Sequence, residues 1–396
     1  MNHFISDKLR AVPASGIRRF FDIAATMSDV ISLGVGEPDF PTPPVIREAA
    51  EAAIRRGATR YTSNHGLLEL REALAEHLHT LYGIRYEPTT ELLITVGVSE
   101  ALQIAMLATL NPGDEVIIPE PAYVAYAPAV LFAGATPVPV PTRPEDDFAP
   151  DPALIAAAVT PRTKALLLGY PNNPTGAVLT QPVALVLAAL AERHDLLVYS
   201  DEIYDRLVYD GTAHVCFAAL PRMRDRTITL GGFSKNYAMT GWRIGYLGAH
   251  PTLAAACVKA HQYLIMSAPT VGQYAALAAL RHGEPYVREM VAEYDRRRRL
   301  LLTGFRQMGL PCPVPRGAFY AFPSVAHLSP DPEIFCERLL LEEQVAIVPG
   351  GGFGSSGAGH VRVCYATAYD KIEEALDRLG AFVKRVAAGE LAAMVR

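Results

Sequence analysis

The chain has 396 residues, half of them hydrophobic, and a formal net charge of −5. That length admits two domains and a large core, and that hydrophobic share excludes a disordered chain. The acidic balance argues against nucleic acid as a main partner. The first 45 residues, with GIRRFFDIAATM and the proline-rich GEPDFPTPP, are too short to form a core alone. From there the chain alternates. LLELREALAEHLHTLYG (67–83) spaces its leucines for a helix and closes on a glycine. ELLITVG (91–97) reads as a strand, and SEALQIAMLATL (99–110) as a helix that Ser99 caps. NPGD (111–114) is a turn and EVIIPE (115–120) the next strand. TKALLLGY (163–170) is a strand leading into PNNPTG. PVALVLAALAERHD (182–195) is a helix and LLVYS (196–200) a strand. TITLGG (227–232) and WRIGYLGA (242–249) are two more strands. After about residue 290 a long charged helix, VREMVAEYDRRRRLLLTGFRQMG, leads into the strand-like GAFYAFPS, QVAIVPG and HVRVCYA.

Short, almost continuously apolar strands separated by helices imply a mostly parallel sheet covered on both faces. The expected fold is α/β: a large domain over residues 46–290, plus a smaller α+β domain built from both chain ends, 1–45 and 291–396. The basic run Arg296–Arg299 is expected to be a solvated helix face. Glu202, His65 and His261 read as structural, and His194 as closing a helix. No apolar run is long enough to span a bilayer, and the N-terminal residues lack the apolar stretch of a secretory signal. Five dispersed cysteines, Cys216, Cys257, Cys312, Cys336 and Cys364, lack zinc spacing. They suit buried thiols in a reducing cytoplasm and argue against a metal site.

In an open parallel α/β sheet, ligands bind beyond the carboxyl ends of the strands. The residues that follow these strands are Val98 and Ser99 at a helix start, Tyr123, Asn173 within PNNPTG, Asp201 and Tyr204, and Lys235. No metal site or nucleophilic triad uses that set. A charged, aromatic, phosphorylated cofactor held covalently by an amine would use all of it. Pyridoxal phosphate (PLP) fits group by group. A lysine in apolar or cationic surroundings forms a Schiff base with its aldehyde. Asp201 favours a protonated ring nitrogen. Asn173 and Tyr204 can bond the phenolic oxygen. Ser99, with the helix start around it, and Arg243 supply donors for the phosphate. Tyr123 can stack on the ring.

Seven stretches in order, ISLGVGEPDF, RYTSNHGLLELREAL, VGVSEAL, YPNNPTG, SDEIY, GFSKNYAMTGWRIG and HVRVCYA, carry a further reading. Together they resemble the fold-type I PLP enzymes of the class I/II aminotransferase family, nearly end to end. The likeness is to the branch of aspartate, aromatic and N-acetyl-diaminopimelate aminotransferases. The resemblance implies Lys235 as the Schiff-base lysine, with the cofactor roles above for Asp201, Asn173, Tyr204, Ser99, Arg243 and Tyr123. It also implies Arg362 as the clamp on the substrate α-carboxylate, and a homodimer in which Tyr61 reaches the neighbour's phosphate. Gly36 and the segment 16–24 are expected to line the substrate side-chain pocket. One position departs from the pattern: where some members carry a phosphate-binding serine, this chain has Gly232.

The expected activity is ping-pong transamination in the cytoplasm between an L-amino acid and a 2-oxo acid such as 2-oxoglutarate. Aromatic or N-acetyl-diaminopimelate-type donors are favoured over aspartate. Carbon–sulfur lysis and other fold-type I outcomes share the same cage. A non-catalytic PLP-binding regulator predicts bound cofactor without amino exchange. Gly352, Gly354 and Gly357 match a dinucleotide fingerprint, but a strand follows them where a helix is required.

Overall fold

The computed structural model describes residues 2–12, 27 and 29–389. Twelve strands are defined among them. In chain order they are β1 (Ile31–Ser32), β2 (Leu92–Thr95), β3 (Glu115–Glu120), β4 (Thr136–Pro141), β5 (Thr163–Gly169) and β6 (Leu197–Asp201). There follow β7 (Thr227–Gly232), β8 (Gly245–Gly248), β9 (Tyr320–Ala321), β10 (Val345–Ala346), β11 (Val348–Pro349) and β12 (Val361–Cys364).

Seven strands form the central sheet in the order β2-β8-β7-β6-β5-β3-β4. All neighbours are parallel except β8, which runs against both β2 and β7. The sheet is therefore mostly parallel, as the apolar strand pattern requires. Alternate strand residues point to opposite faces. Val116, Ile118, Ala165 and Leu167 pack with the helices Gly97–Thr109 and Pro251–Leu264. Ile117, Leu166 and Leu168 pack with the helix Gln181–Arg193 on the other face.

Beyond this sheet, β12 lies between β11 and β9, antiparallel to both. β1 pairs in parallel with β10, Ile31 opposite Val345. Ile31 and Leu33 share a core cluster with Tyr294, Phe305, Phe319, Phe335 and Phe382. The N–H of Cys364 donates to Leu33 O at 2.7 Å, which seats the segment after β1 against β12.

Three local expectations are corrected. The strand at 91–97 is shorter, because the following helix already starts at Gly97; Val96 is its N-cap and Ser99 stands in its first turn. The capping is done by Glu100, whose carboxylate accepts the Val96 N–H at 2.5 Å. The strand expected over 242–249 begins only at Gly245, because Thr240–Trp242 forms a 3-10 turn and Arg243 has a φ of 56°. The Arg296–Arg299 run is not one solvated face. The helix Glu284–Met308 buries Val287, Met290, Tyr294, Leu301 and Phe305, and that stripe at 3.6-residue spacing passes through Arg297 and Arg298. These two are 5% and 2% exposed.

The strand β4, TPVPVP, was not anticipated. It pairs only with β3 at the sheet edge, where prolines are tolerated because one side needs no N–H donors.

Candidate active site

At the carboxyl ends of the parallel strands lies a cavity of about 670 Å³. Gly36, Val98, Ser99, Tyr123, Asn173, Asp201, Tyr204, Lys235, Arg243 and Arg362 all line it. Tyr61 does not; it is 81% exposed on the surface. The segment 16–24 lies outside the described residues.

Asp201 is the last residue of β6 and is buried. Its carboxylate accepts the Tyr126 hydroxyl at 2.9 Å and the Ile203 N–H at 3.2 Å. Burial pushes its pKa up to about 6, against the pull of those donors and of Lys235. Among the described residues it has no ion-pair partner. The neighbouring Glu202 faces away. It accepts from Ser200 at 2.8 Å and from the Phe217 N–H at 3.0 Å, and pairs with His214 at 2.8 Å. Adjacent carboxylates thus divide between cavity and core.

Lys235 follows β7. Its Nζ donates to Gly36 O at 2.6 Å. Burial lowers its pKa to about 8; Arg362 and Arg243 push the same way, while Cys364 and Glu37 oppose. The amine is therefore substantially neutral at mildly alkaline pH. Gly97 leaves room for the Arg243 guanidinium, since a Cβ there would stand 2.6 Å from Nη2. Gly97 also has a φ of 69°, which favours glycine. At Gly232 a Cβ would meet Ile203, Val98 and Gly245 atoms at 3.1–3.2 Å, so the position is tight for a larger residue.

PNNPTG splits its two asparagines. Asn172 makes the turn, its Oδ1 accepting from Thr175 Oγ1 at 2.8 Å and Thr175 N at 3.2 Å. Asn173 lines the cavity, and its Oδ1 accepts from Arg362 Nη1 at 2.9 Å. Among the described residues its amide NH₂ has no protein acceptor. Arg362 Nη2 donates to Gly34 O at 2.5 Å, and its buried Nε has no partner. The rings of Tyr320 and Phe353 each lie 4.7 Å from the guanidinium.

Sequence reasoning missed Tyr126 and Tyr320. Tyr126, three residues after Tyr123, carried no signal of its own, because its contact with Asp201 spans 75 residues. Gly352 and Gly357 lie in two 3-10 turns between β11 and β12, with Gly354 joining them and β12 following in place of a helix, so no dinucleotide fingerprint forms. This loop docks just past the end of β3: Ala122 N–H donates to Phe353 O at 2.9 Å.

Lys235, the buried Asp201, Arg243 and Arg362 thus share one cavity at the strand ends. The family model for aminotransferase class I and II matches residues 28–379, and the chain belongs to that family. It is 47% identical to the aspartate aminotransferase of Pyrococcus abyssi, over 95% of this chain and 97% of that protein. It is 45% identical to aromatic-amino-acid aminotransferase 2 of Thermococcus litoralis, over 96% and 98%. The fold matches the crystal structure of the aromatic aminotransferase from Pyrococcus horikoshii with a TM-score of 0.89 and 46% identity, covering 92% of this chain and 99% of that one. Aminotransferases of this fold type are generally PLP-dependent. Among the described residues, no helix is long and apolar enough to cross a membrane.

Proposed function

We propose that the chain is a PLP-dependent aminotransferase that moves an amino group between an L-amino acid and a 2-oxo acid. The observation that carries this reading is the Lys235 amine, drawn down to about 8 and sharing one cavity with Asp201 and Arg362.

The residues fit the coenzyme on chemical grounds. Among the described residues Asp201 is a buried carboxylate without an ion-pair partner, which a protonated ring nitrogen would supply. The free amide of Asn173 and the hydroxyl of Tyr204 are donors for a phenolic oxygen. Ser99, in the first turn of its helix, and Arg243 are donors for a phosphate. Tyr123 offers a ring face. When bound, the coenzyme supplies an electron sink for the carbon that loses its proton.

The chain's own groups do the rest. Arg362 binds the substrate α-carboxylate, a charged bond worth roughly 1.5–3 kcal/mol for each contact. Its other contacts are neutral, so its charge is free for that carboxylate. The Lys235 amine would take the α-proton at Nζ and return it on the other side of the exchange. Asp201 would hold a protonated ring nitrogen with its carboxylate.

The only cations lining the cavity among the described residues are Lys235, Arg243 and Arg362. With each of these engaged, none of the described cations is left for a distal carboxylate. Val35, Leu102, Ala129 and Phe132 add apolar wall. This supports an aromatic donor ahead of aspartate, with N-acetyl-diaminopimelate in the same panel and 2-oxoglutarate as acceptor. The same reading takes the chain as a cytoplasmic homodimer, with Tyr61 reaching its neighbour, and as a large domain flanked by a small one built from both chain ends.

The test is a donor panel against 2-oxoglutarate, with borohydride fixation of the coenzyme. Aromatic donors turn over fastest, the coenzyme is fixed to Lys235, and Lys235→Ala loses both fixation and turnover. A wild-type chain that fixes no coenzyme and transfers no amino group would falsify the reading.

A further inference from the structure

We propose that Tyr320 is a positioning residue that joins the substrate clamp to the coenzyme-facing tyrosine: its ring supports Arg362 and its hydroxyl supports Tyr204. The inference rests on the function proposed above.

Tyr320 lies in β9, with its partner Cys364 across the ladder in β12, two residues from Arg362. It is 1% exposed. The Arg362 guanidinium lies 4.7 Å from its ring centroid. Among the described residues Arg362 has no carboxylate partner, and its hydrogen bonds go to an amide oxygen and a carbonyl. A buried cation so placed gains from the negative face of an aromatic ring. At the other end, the Tyr320 hydroxyl meets the Tyr204 hydroxyl at 2.8 Å, and either oxygen can donate. A Cβ at Gly36 would stand 2.1 Å from the Tyr320 oxygen, so the segment that accepts from Lys235 packs on this same hydroxyl. One side chain thus touches three parts of the site.

The physical consequences separate. If Tyr204 donates into the cavity, its oxygen is free to accept from Tyr320, and hydrogen bonds in such a chain strengthen one another. The stronger donation stabilises a negative phenolic oxygen on the coenzyme and lowers the pH midpoint of its absorbance change. The ring instead acts on Arg362, and so on carboxylate affinity.

Two variants of the coenzyme-loaded enzyme read the two arms. Tyr320→Phe keeps the ring and removes the hydroxyl. The absorbance midpoint should rise by roughly half a unit, with unchanged affinity for 3-phenylpropionate, a carboxylate that has no amino group to transfer. Tyr320→Met removes both features. Here the midpoint should rise similarly, and 3-phenylpropionate should bind about five- to tenfold more weakly. A midpoint unmoved in Tyr320→Phe overturns the hydroxyl arm, and undiminished binding by Tyr320→Met overturns the ring arm. Lowered melting temperatures with neither readout moved would make the residue structural only and overturn both. If Tyr320→Met does not fold, Tyr320→Phe still decides the hydroxyl arm. A wild-type chain that takes up no coenzyme fails on its own account: it removes the proposed function and this inference with it.

Discussion

The buried arginines of the long helix and the buried arginine of the cavity are held in opposite ways. Arg297 and Arg298, on the long helix, are matched by carboxylates. Arg297 reaches Asp39 at 2.7 Å and Glu293 at 2.9 Å. Arg298 reaches Asp295 at 2.6 Å and Asp210 at 2.8 Å, and donates to Pro315 O at 2.9 Å. Arg362, in the cavity, has no carboxylate among the described residues; its partners are Asn173, Gly34 and two ring faces. A buried charge that folding satisfies internally is structural. One left with neutral partners carries an unmet demand, which a ligand of opposite sign can meet. Asp201 is the same case with the sign reversed.

Replacement should break this contrast cleanly. The largest effect is expected for Arg362→Leu. Steady-state kinetics should show kcat/KM reduced about 10³-fold, near 4 kcal/mol, the sum of two charge-assisted contacts. Its coenzyme-free melting temperature should hold or rise, because an unpaired buried cation is gone.

Arg298→Met should do the reverse. Denaturant unfolding should show a loss of about 3 kcal/mol, the lower end for breaking a buried pair, because Asp210 and Asp295 keep some solvent. Turnover by the folded fraction should be unchanged. Arg296→Met is the surface control, expected within about 0.5 kcal/mol of wild type.

A smaller effect than at Arg298 concerns Asp201 in the coenzyme-free protein. Its folded pKa of about 6 lies above its ordinary value of 3.8. Between those values the native state holds the proton more tightly than the unfolded chain, so stability falls as pH rises through this window. Asp201→Asn should flatten that slope and stabilise the coenzyme-free protein by about 1–2 kcal/mol at pH 7. A variant no more stable than wild type at pH 7 would show that the carboxylate is already satisfied, and would erase the parallel with Arg362.

The contrast also shows what could be read in advance. Lys235, Asp201, Asn173 and Ser99 were legible because each stands at or just past a strand end or at a helix start, and those ends are set by local pattern. Tyr126 and Tyr320 were not, because their partners lie 75 and 116 residues away. The arginine run was misread for the same reason. Charge run alone suggested solvent, while the partners that allow burial, Asp39 and Asp210, lie 258 and 88 residues distant.

By itself, then, the sequence determined the alternation of helices and apolar strands, the mostly parallel sheet and the chemical kinds of group at its carboxyl end. Periodicity and chain direction act over a few residues and need no distant partner. Only the tertiary structure decided which charges are answered and which stay open. It turned Asp201 inward and Glu202 away, paired Arg298 and left Arg362 without a carboxylate. The energy of a buried charge is set by neighbours that the fold brings together from far along the chain.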